Sequence, residues 1–194
     1  MVTTTGRMAF KEWAAVCEAL RTGRQIAIYR KGGIHEGREG FRVDHEAFWL
    51  FPTYEHQSQE ALSQEAADLL ETSRASYPGA GRLAISLWAE VQDVVELNDA
   101  SILPRLSGHH VYDARTLEER FHYRNPGLFV LPVRIYQLPE PIVLPDSPHF
   151  GGCRSWVDLP DELSTDGAQP VLSDAEFSAR LKELNAALTP PTTA

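Results

Sequence analysis

The chain has 194 residues, 43% of them hydrophobic, and a formal net charge of −9, enough for one buried core with an appendage and too little for two full domains. The acidic balance excludes an unselective polyanion binder, and two cysteines without zinc-ligand spacing exclude a disulfide framework and fit a reducing cytoplasm. No apolar run is long enough to cross a bilayer, and no charged start followed by an apolar stretch marks a signal peptide.

In chain order, residues 1–8 are expected to form a disordered tail, followed by one domain over 9–159 and a linker plus C-terminal helix over 160–194. "AFKEWAAVCEALRTG" predicts a helix: Phe10, Trp13, Val16, Cys17 and Leu20 recur at helical spacing, and Gly23 stops it. Cys17 falls on the buried stripe, where a thiol is packed rather than reactive. "RQIAIYRK" predicts a strand, and "FRVDHEAFWLFPTY" a second strand or bent hairpin ended by Pro52. A helix with Leu62, Ala66, Leu69 and Leu70 follows, then the turn cluster "YPGAG".

"RLAISLWAEVQDVVEL" alternates as a strand long enough to need a bulge or bend. "ASILPRL" is a short helical piece, and Thr116 with Glu119 spells a capping box for "LEERFHYRN". "LFVLPVRIYQLPEPIVLP" is a strand whose Pro132 should lie at an edge or bulge. Beyond residue 145 the sequence loosens, until Ser173, Glu176 and the Leu172–Phe177 staple start a helix with the stripe Phe177, Leu181, Leu184 and Leu188. The fold class is α+β: a small, strongly bent mixed sheet or barrel flanked by helices, with the C-terminal helix packed on it.

Between the first two strands lies "YRKGGIHEGREGFRV". From residue 21 to residue 42 the chain carries six cations against two anions, in a protein that is otherwise acidic. The glycines match neither phosphate-loop spacing, and a strand rather than a helix follows, which argues against a nucleoside-triphosphate site. A looser anion site of backbone amides and arginines stays open. Aromatic residues interleave with the cations, as in modules where bases stack on rings while arginines hold phosphates. The candidate ligand-binding residues are Tyr29, Arg30, Lys31, Arg38, Arg42 and Tyr54, the two tyrosines chosen because a phenol tolerates water.

Other chemistries are weaker. Neither an acid two residues before a lysine, as in restriction-like nucleases, nor a metal-ligand spacing among the seven histidines occurs. No metal and no cofactor is therefore expected. An alternative enzyme reading uses Cys153, exposed between glycines and Arg154, as a thiol nucleophile. A separate enzyme alternative is an acid–base pair drawn from His45, Glu46 and His56, which flank the aromatic strand.

"EWAAVCEALRTGRQIAIYRKGGIHEG", "FRVDHEAFWLFPTYEHQ" and "LPEPIVLP" with "GGCRSWVDL" resemble the bacterial family known as domain of unknown function 1802, over about residues 10–159. That resemblance implies no established activity. "GRQIAIYR" is also similar to the Gly-x-Lys-x-x-Glu-x-Arg strand of ASCH domains, relatives of the PUA RNA-binding barrel, as is "TLEERFHYRNPGLFVLPVRIYQLPEPIVL" to their closing helix and strand. Gly23 and Arg30 match that pattern. Gln25 and Ile28 replace the lysine and glutamate implicated in amidohydrolase relatives. This second resemblance implies a PUA-like barrel with a nucleic-acid-facing cleft, and not the hydrolase chemistry. The expected function is a cytoplasmic module binding RNA, single-stranded nucleic acid or a modified nucleotide, with no membrane and an oligomeric state left open.

Overall fold

The computed structural model describes residues 3–31, 45–55, 57–152 and 154–189. Its strands are β1 (Thr5–Trp13), β2 (Ala27–Arg30), β3 (Ala47–Thr53), β4 (Arg82–Val91), β5 (Val95–Leu97), β6 (Leu128–Pro145), β7 (Trp156–Ser164) and β8 (Gln169–Pro170). The helices are α1 (Ala14–Arg21), α2 (Ala67–Ala75), α3 (Ala114–His122) and α4 (Asp174–Leu188), with 3₁₀ turns between them. All eight strands belong to one sheet of order β2-β6-β4-β3-β1-β7, with β5 and β8 added along β6. The β1–β3 pair is parallel and the others are antiparallel.

The sheet curls strongly. At one end of the strand order Arg30 closes β2, and its guanidinium donates to Ser155 Oγ, next to β7 at the opposite end, over 2.8 Å. The far end of β7 turns through residues 165–168 into β8, which pairs with β6. The two margins thus meet at two points, yet among the described residues no ladder joins β7 to β2 or β8. The result is a bent, open sheet rather than a closed barrel.

Both faces are packed. One core joins Phe10, Phe48, Leu50, Leu87 and most of β2 to residues of all four helices. The other, built around Ala9, Trp49, Phe51, Ile85, Trp88 and Leu159, contains no residue of α1–α4. Strand alternation explains the split, since Ala9 and Phe10, or Phe48 and Trp49, point to opposite faces. The bulge expected in β4 lies between Ile85 and Leu87, where the register shifts and the chain changes which parity faces which core.

Several expectations are corrected by this pairing. Residues 5–8 are no tail: Thr5, Gly6 and Met8 pair with β7. The first helix starts at Ala14, because Phe10 to Trp13 lie in the ladder opposite Leu50 to Thr53. Their three-residue spacing suits a helix, but strand partners distant in sequence overrule it. Asp113, not Thr116, caps α3, its side chain accepting from Arg115 N–H at 2.9 Å. The polar stretch read as a linker contains most of β7 and all of β8.

Pro132 sits inside β6, a central strand. A residue's N–H and C=O point to the same side of a strand, and Pro132 C=O accepts from Gln92 N–H at 2.9 Å. Its missing N–H therefore faces the break between β4 and β5, where no ladder bond is lost.

α4 forms and docks as its sequence requires. Ser173 and Glu176 complete the capping box, and Phe177, Leu184 and Leu188 are buried in the helix-side core. Arg134, only 6% exposed, binds the Asp174 carboxylate at 2.7 Å and lies over the Phe177 ring. Arg180 reaches the Gly23 carbonyl. Gly23 has φ +68°, and a Cβ there would stand 2.6 Å from Leu172 Cδ2, so glycine both stops α1 and lets the approach to α4 close in.

Candidate functional site

The cluster with the most unspent chemistry lies at the seam where the sheet's margins meet. Phe10, on the inward face of β1, stands 4.8 Å edge-on from Trp156 at the start of β7. Trp156 also meets Phe48 at 5.0 Å and His45 at 5.1 Å. The Arg30 guanidinium lies over Phe10 at 5.1 Å while bonded to Ser155. Trp13, Arg30, His45 and Trp156 are all half-buried, so each keeps some surface toward solvent.

A second group adjoins it. The Arg120 guanidinium of α3 lies over Trp13 at 4.4 Å and over Tyr112 at 4.3 Å, the two rings being 5.8 Å apart. Its polar contacts are long, 3.4 Å to both Tyr29 C=O and Tyr112 Oη. Tyr29 stands edge-on to Tyr112 at 6.3 Å and to His110 at 5.5 Å. A groove of about 510 Å³ between α3 and the turn at 100–106 reaches this group at His110 and Tyr112.

Three buried polar atoms in these two groups have no hydrogen-bond partner: Glu12 Oε2, Trp156 Nε1 and His110 Nδ1. Buried polar groups are nearly always paired, because an unpaired one forfeits its hydration. Glu12 is 2% exposed, with Oε1 accepting from Trp13 N–H at 2.7 Å and Oε2 unused. Burial pushes the Tyr112 phenol well above its ordinary pKa, Arg120 opposes the rise, and Glu12 adds to it. His110 is lowered to about 4, chiefly by burial, so its ring is neutral near pH 7.

The expected ligand residues are placed as follows. Tyr29 is not an exposed stacking platform. It is 0% exposed, its hydroxyl donates to His109 C=O at 3.1 Å, and burial raises its pKa. Both faces of β2 are covered, so alternation brings neither parity to solvent. Arg30 is at the seam, as above. Lys31 donates to the carbonyls of Phe121 at 3.0 Å, Gly127 at 2.8 Å and Asn125, closing the C-terminal end of α3, and burial lowers its pKa. Arg38 and Arg42 lie outside the described residues. Of the described residues that flank 32–44, Arg30 and His45 lie in the cluster, and Lys31 is bound to the end of α3.

Tyr54 is not brought to Tyr29. It stands 4.8 Å from Tyr77, between a cavity of about 220 Å³ that includes Cys17 and Glu18 and a groove of about 540 Å³ that includes Lys11, Arg82 and Phe150. Burial raises its phenol to about 12. Cys17 is buried and its thiol pushed well up, as a packed thiol should be.

For the enzyme alternative, Cys153 and His56 lie outside the described residues. His45 packs on a ring, and Glu46 is exposed with its carbonyl accepting from Val91 N–H. Among the described residues no group of three or more His, Cys, Asp and Glu side chains is placed to hold a metal ion. Among the described residues no helix is long and apolar enough to cross a membrane.

Glu12, Trp13, His110, Tyr112, Arg120 and Trp156 escape a reading of the sequence. One signal was present: once "AFKEW" is a strand, Glu12 shares the face of Phe10, which puts a charge at a core position.

The topology and the seam define an α+β protein with a curled, open mixed sheet and an aromatic–guanidinium cluster where its margins meet. The chain belongs to the family described as "Domain of unknown function (DUF1802)", which matches residues 9–183 and so reaches into α4. No curated protein matches it. Among solved structures it is similar to ASCH from Zymomonas mobilis, at 11% identity and TM-score 0.44, covering 91% of this chain and 94% of that one. A mutant of the same ASCH protein from Zymomonas mobilis gives 10% identity and TM-score 0.45, covering 93% and 99%. The topology stated above rests on this chain's own strand pairing.

Proposed function

We propose that the protein is a nucleic-acid-binding module whose ligand is single-stranded RNA or a nucleotide, held at the seam. The observation that supports this reading is that Arg30 and His45, which flank the basic, glycine-rich sequence 32–44, lie in a cluster of rings and guanidinium groups. Rings offer π-faces to bases and arginines offer forks to phosphates, the pairing single-strand binders use. Trp13 and Trp156 are the proposed stacking faces, and Arg38 and Arg42 the proposed phosphate contacts. Arg30 and Lys31 are already bonded within the protein. An acidic net charge suits a short local contact rather than a long phosphate track.

The test is titration of labelled single-stranded RNA and DNA at low and moderate salt. Micromolar binding that weakens with salt is expected. Replacing Arg38 and Arg42 together by alanine should weaken binding and flatten the salt slope by roughly one unit per lost phosphate contact. Absence of binding at tens of micromolar, or an affinity indifferent to salt, overturns the reading.

A further inference from the structure

α3 ends at His122, and residues Tyr123 to Pro126 are all exposed before Gly127 turns inward to β6. Arg124 has φ +63°, the one non-glycine residue with positive φ among the described residues. The left-handed region just past a helix end is where glycine is usual, because a Cβ there crowds the backbone. A glycine would make this turn without strain. Strain of this kind persists only where the surroundings over-determine the backbone, and it gathers at binding sites.

The surroundings here do over-determine it. Lys31 donates to the carbonyls of Phe121, Asn125 and Gly127, on both sides of the strained residue. Gly127 N–H reaches back to Phe121 C=O at 3.0 Å, and the ring of Pro126 fixes its own φ. The turn is thus held in a costly conformation that displays two side chains the fold does not use. Tyr123 is 53% exposed, the most of any large hydrophobic residue described, and its hydroxyl has no hydrogen-bond partner among the described residues. The Arg124 guanidinium lies over the Tyr123 ring at 5.2 Å and has no ion pair or hydrogen bond among the described residues. A ring has two faces. The guanidinium takes one, and the exposure of Tyr123 leaves the other open. Glu119, the acid nearest in sequence, is spent on Arg115 at 3.3 Å. The turn also adjoins the seam: Lys31 follows Arg30, and Arg120, four residues before Arg124, lies over Trp13.

We infer that Tyr123 and Arg124 form a second contact for a single strand, Tyr123 stacking one unpaired base on its open face and Arg124 holding a neighbouring phosphate. This rests on the nucleic-acid reading above and extends it from the seam to the end of α3. Stacking asks only for a π-face, which every base has, so the contact is indifferent to sequence. It needs the base out of a duplex, so it selects single strands. A planar guanidinium can keep its place on the ring while its N–H edge turns to phosphate oxygens. Glycine at position 124 would relax the turn and remove that charge.

The experiment uses the full chain and a fluorescein-labelled RNA decamer of uridine, titrated by fluorescence anisotropy, with urea unfolding of each variant beside it. Tyr123→Ala should weaken binding about tenfold, the worth of one stacked base. Tyr123→Phe, which keeps the face and loses the hydroxyl, should restore it to within about twofold of wild type. Arg124→Gly should move two quantities in opposite directions. Its urea midpoint should rise as the strain is released, while binding weakens severalfold and the salt slope falls by roughly one unit. A residue that only shaped the turn would leave the salt slope unchanged. Tyr123→Ala and Arg124→Gly both binding as the wild-type chain does would overturn this inference while the nucleic-acid reading stands. An Arg124→Gly chain less stable than wild type would overturn it too, since the backbone would then hold no strain to release. No binding by the wild-type chain at tens of micromolar overturns both readings.

Discussion

The docking of α4 and the seam are both places where distant parts of the chain close on each other, yet they treat polar atoms in opposite ways. Around α4 every device is spent. The capping box is complete, Arg134 has Asp174, Arg180 has the Gly23 carbonyl, and Arg105 donates to the carbonyls of Ala186, at 2.7 Å, and Thr189. At the seam an acceptor, an indole N–H and a histidine nitrogen go unpaired within a group of aromatic rings. A contact that exists for stability satisfies its polar groups, because each orphan costs about 1–3 kcal/mol. At the seam the proposed ligand would supply partners for the three orphans.

Four measurements break or sharpen that contrast. Truncation after Gln169 removes α4 and uncovers the crevice of Leu20, Ile26 and Val133 that Phe177 shares. The loss should exceed about 5 kcal/mol, most of a domain's margin, and Leu184→Ala alone, at a 0% exposed site, should lose about 3 kcal/mol in urea unfolding. A truncated chain as stable as the full one would show α4 to be an appendage.

The second concerns acid. His110 titrates near 6.5 when unfolded and is lowered to about 4 in the fold. Between those values the unfolded chain binds the proton first, so the stabilisation is complete above about pH 6.5 and is lost as pH falls toward 4. It should amount to roughly 2 kcal/mol after allowance for solvent screening. Urea midpoints at pH 7 and pH 4.5 should diverge less in His110→Phe than in the wild-type chain. Equal divergence would remove His110 from the buried set.

The third is smaller and opposite in sign. Glu12→Gln replaces an unpaired buried acceptor by a neutral amide and should raise the stability of the unliganded protein by about 1 kcal/mol. A destabilised variant would mean that Oε2 has a structural partner. The smallest effect should come from the exposed Arg115–Glu119 pair of α3, 3.3 Å apart. Arg115→Ala should shift the melting temperature by less than about 2 °C.

By itself the sequence determined the elements whose signals are local. The α4 stripe and capping box, the stop at Gly23, the long β4 with its bulge and the α+β class were all legible, because capping and periodicity act within a few residues. Tertiary structure alone decided what β1 and β7 are. "AFKEW" carries a spacing that suits a helix and "LPDELS" reads as a loose polar linker, and both lie in strands because partners forty or more residues away supply their ladder bonds. The seam follows from those two strands, so it was illegible for the same reason. The sequence could mark the basic segment and Arg30, but only the curl of the sheet gathers Trp13, Arg120 and Trp156 near its margins, since side-chain clusters across strands depend on register that no local pattern encodes.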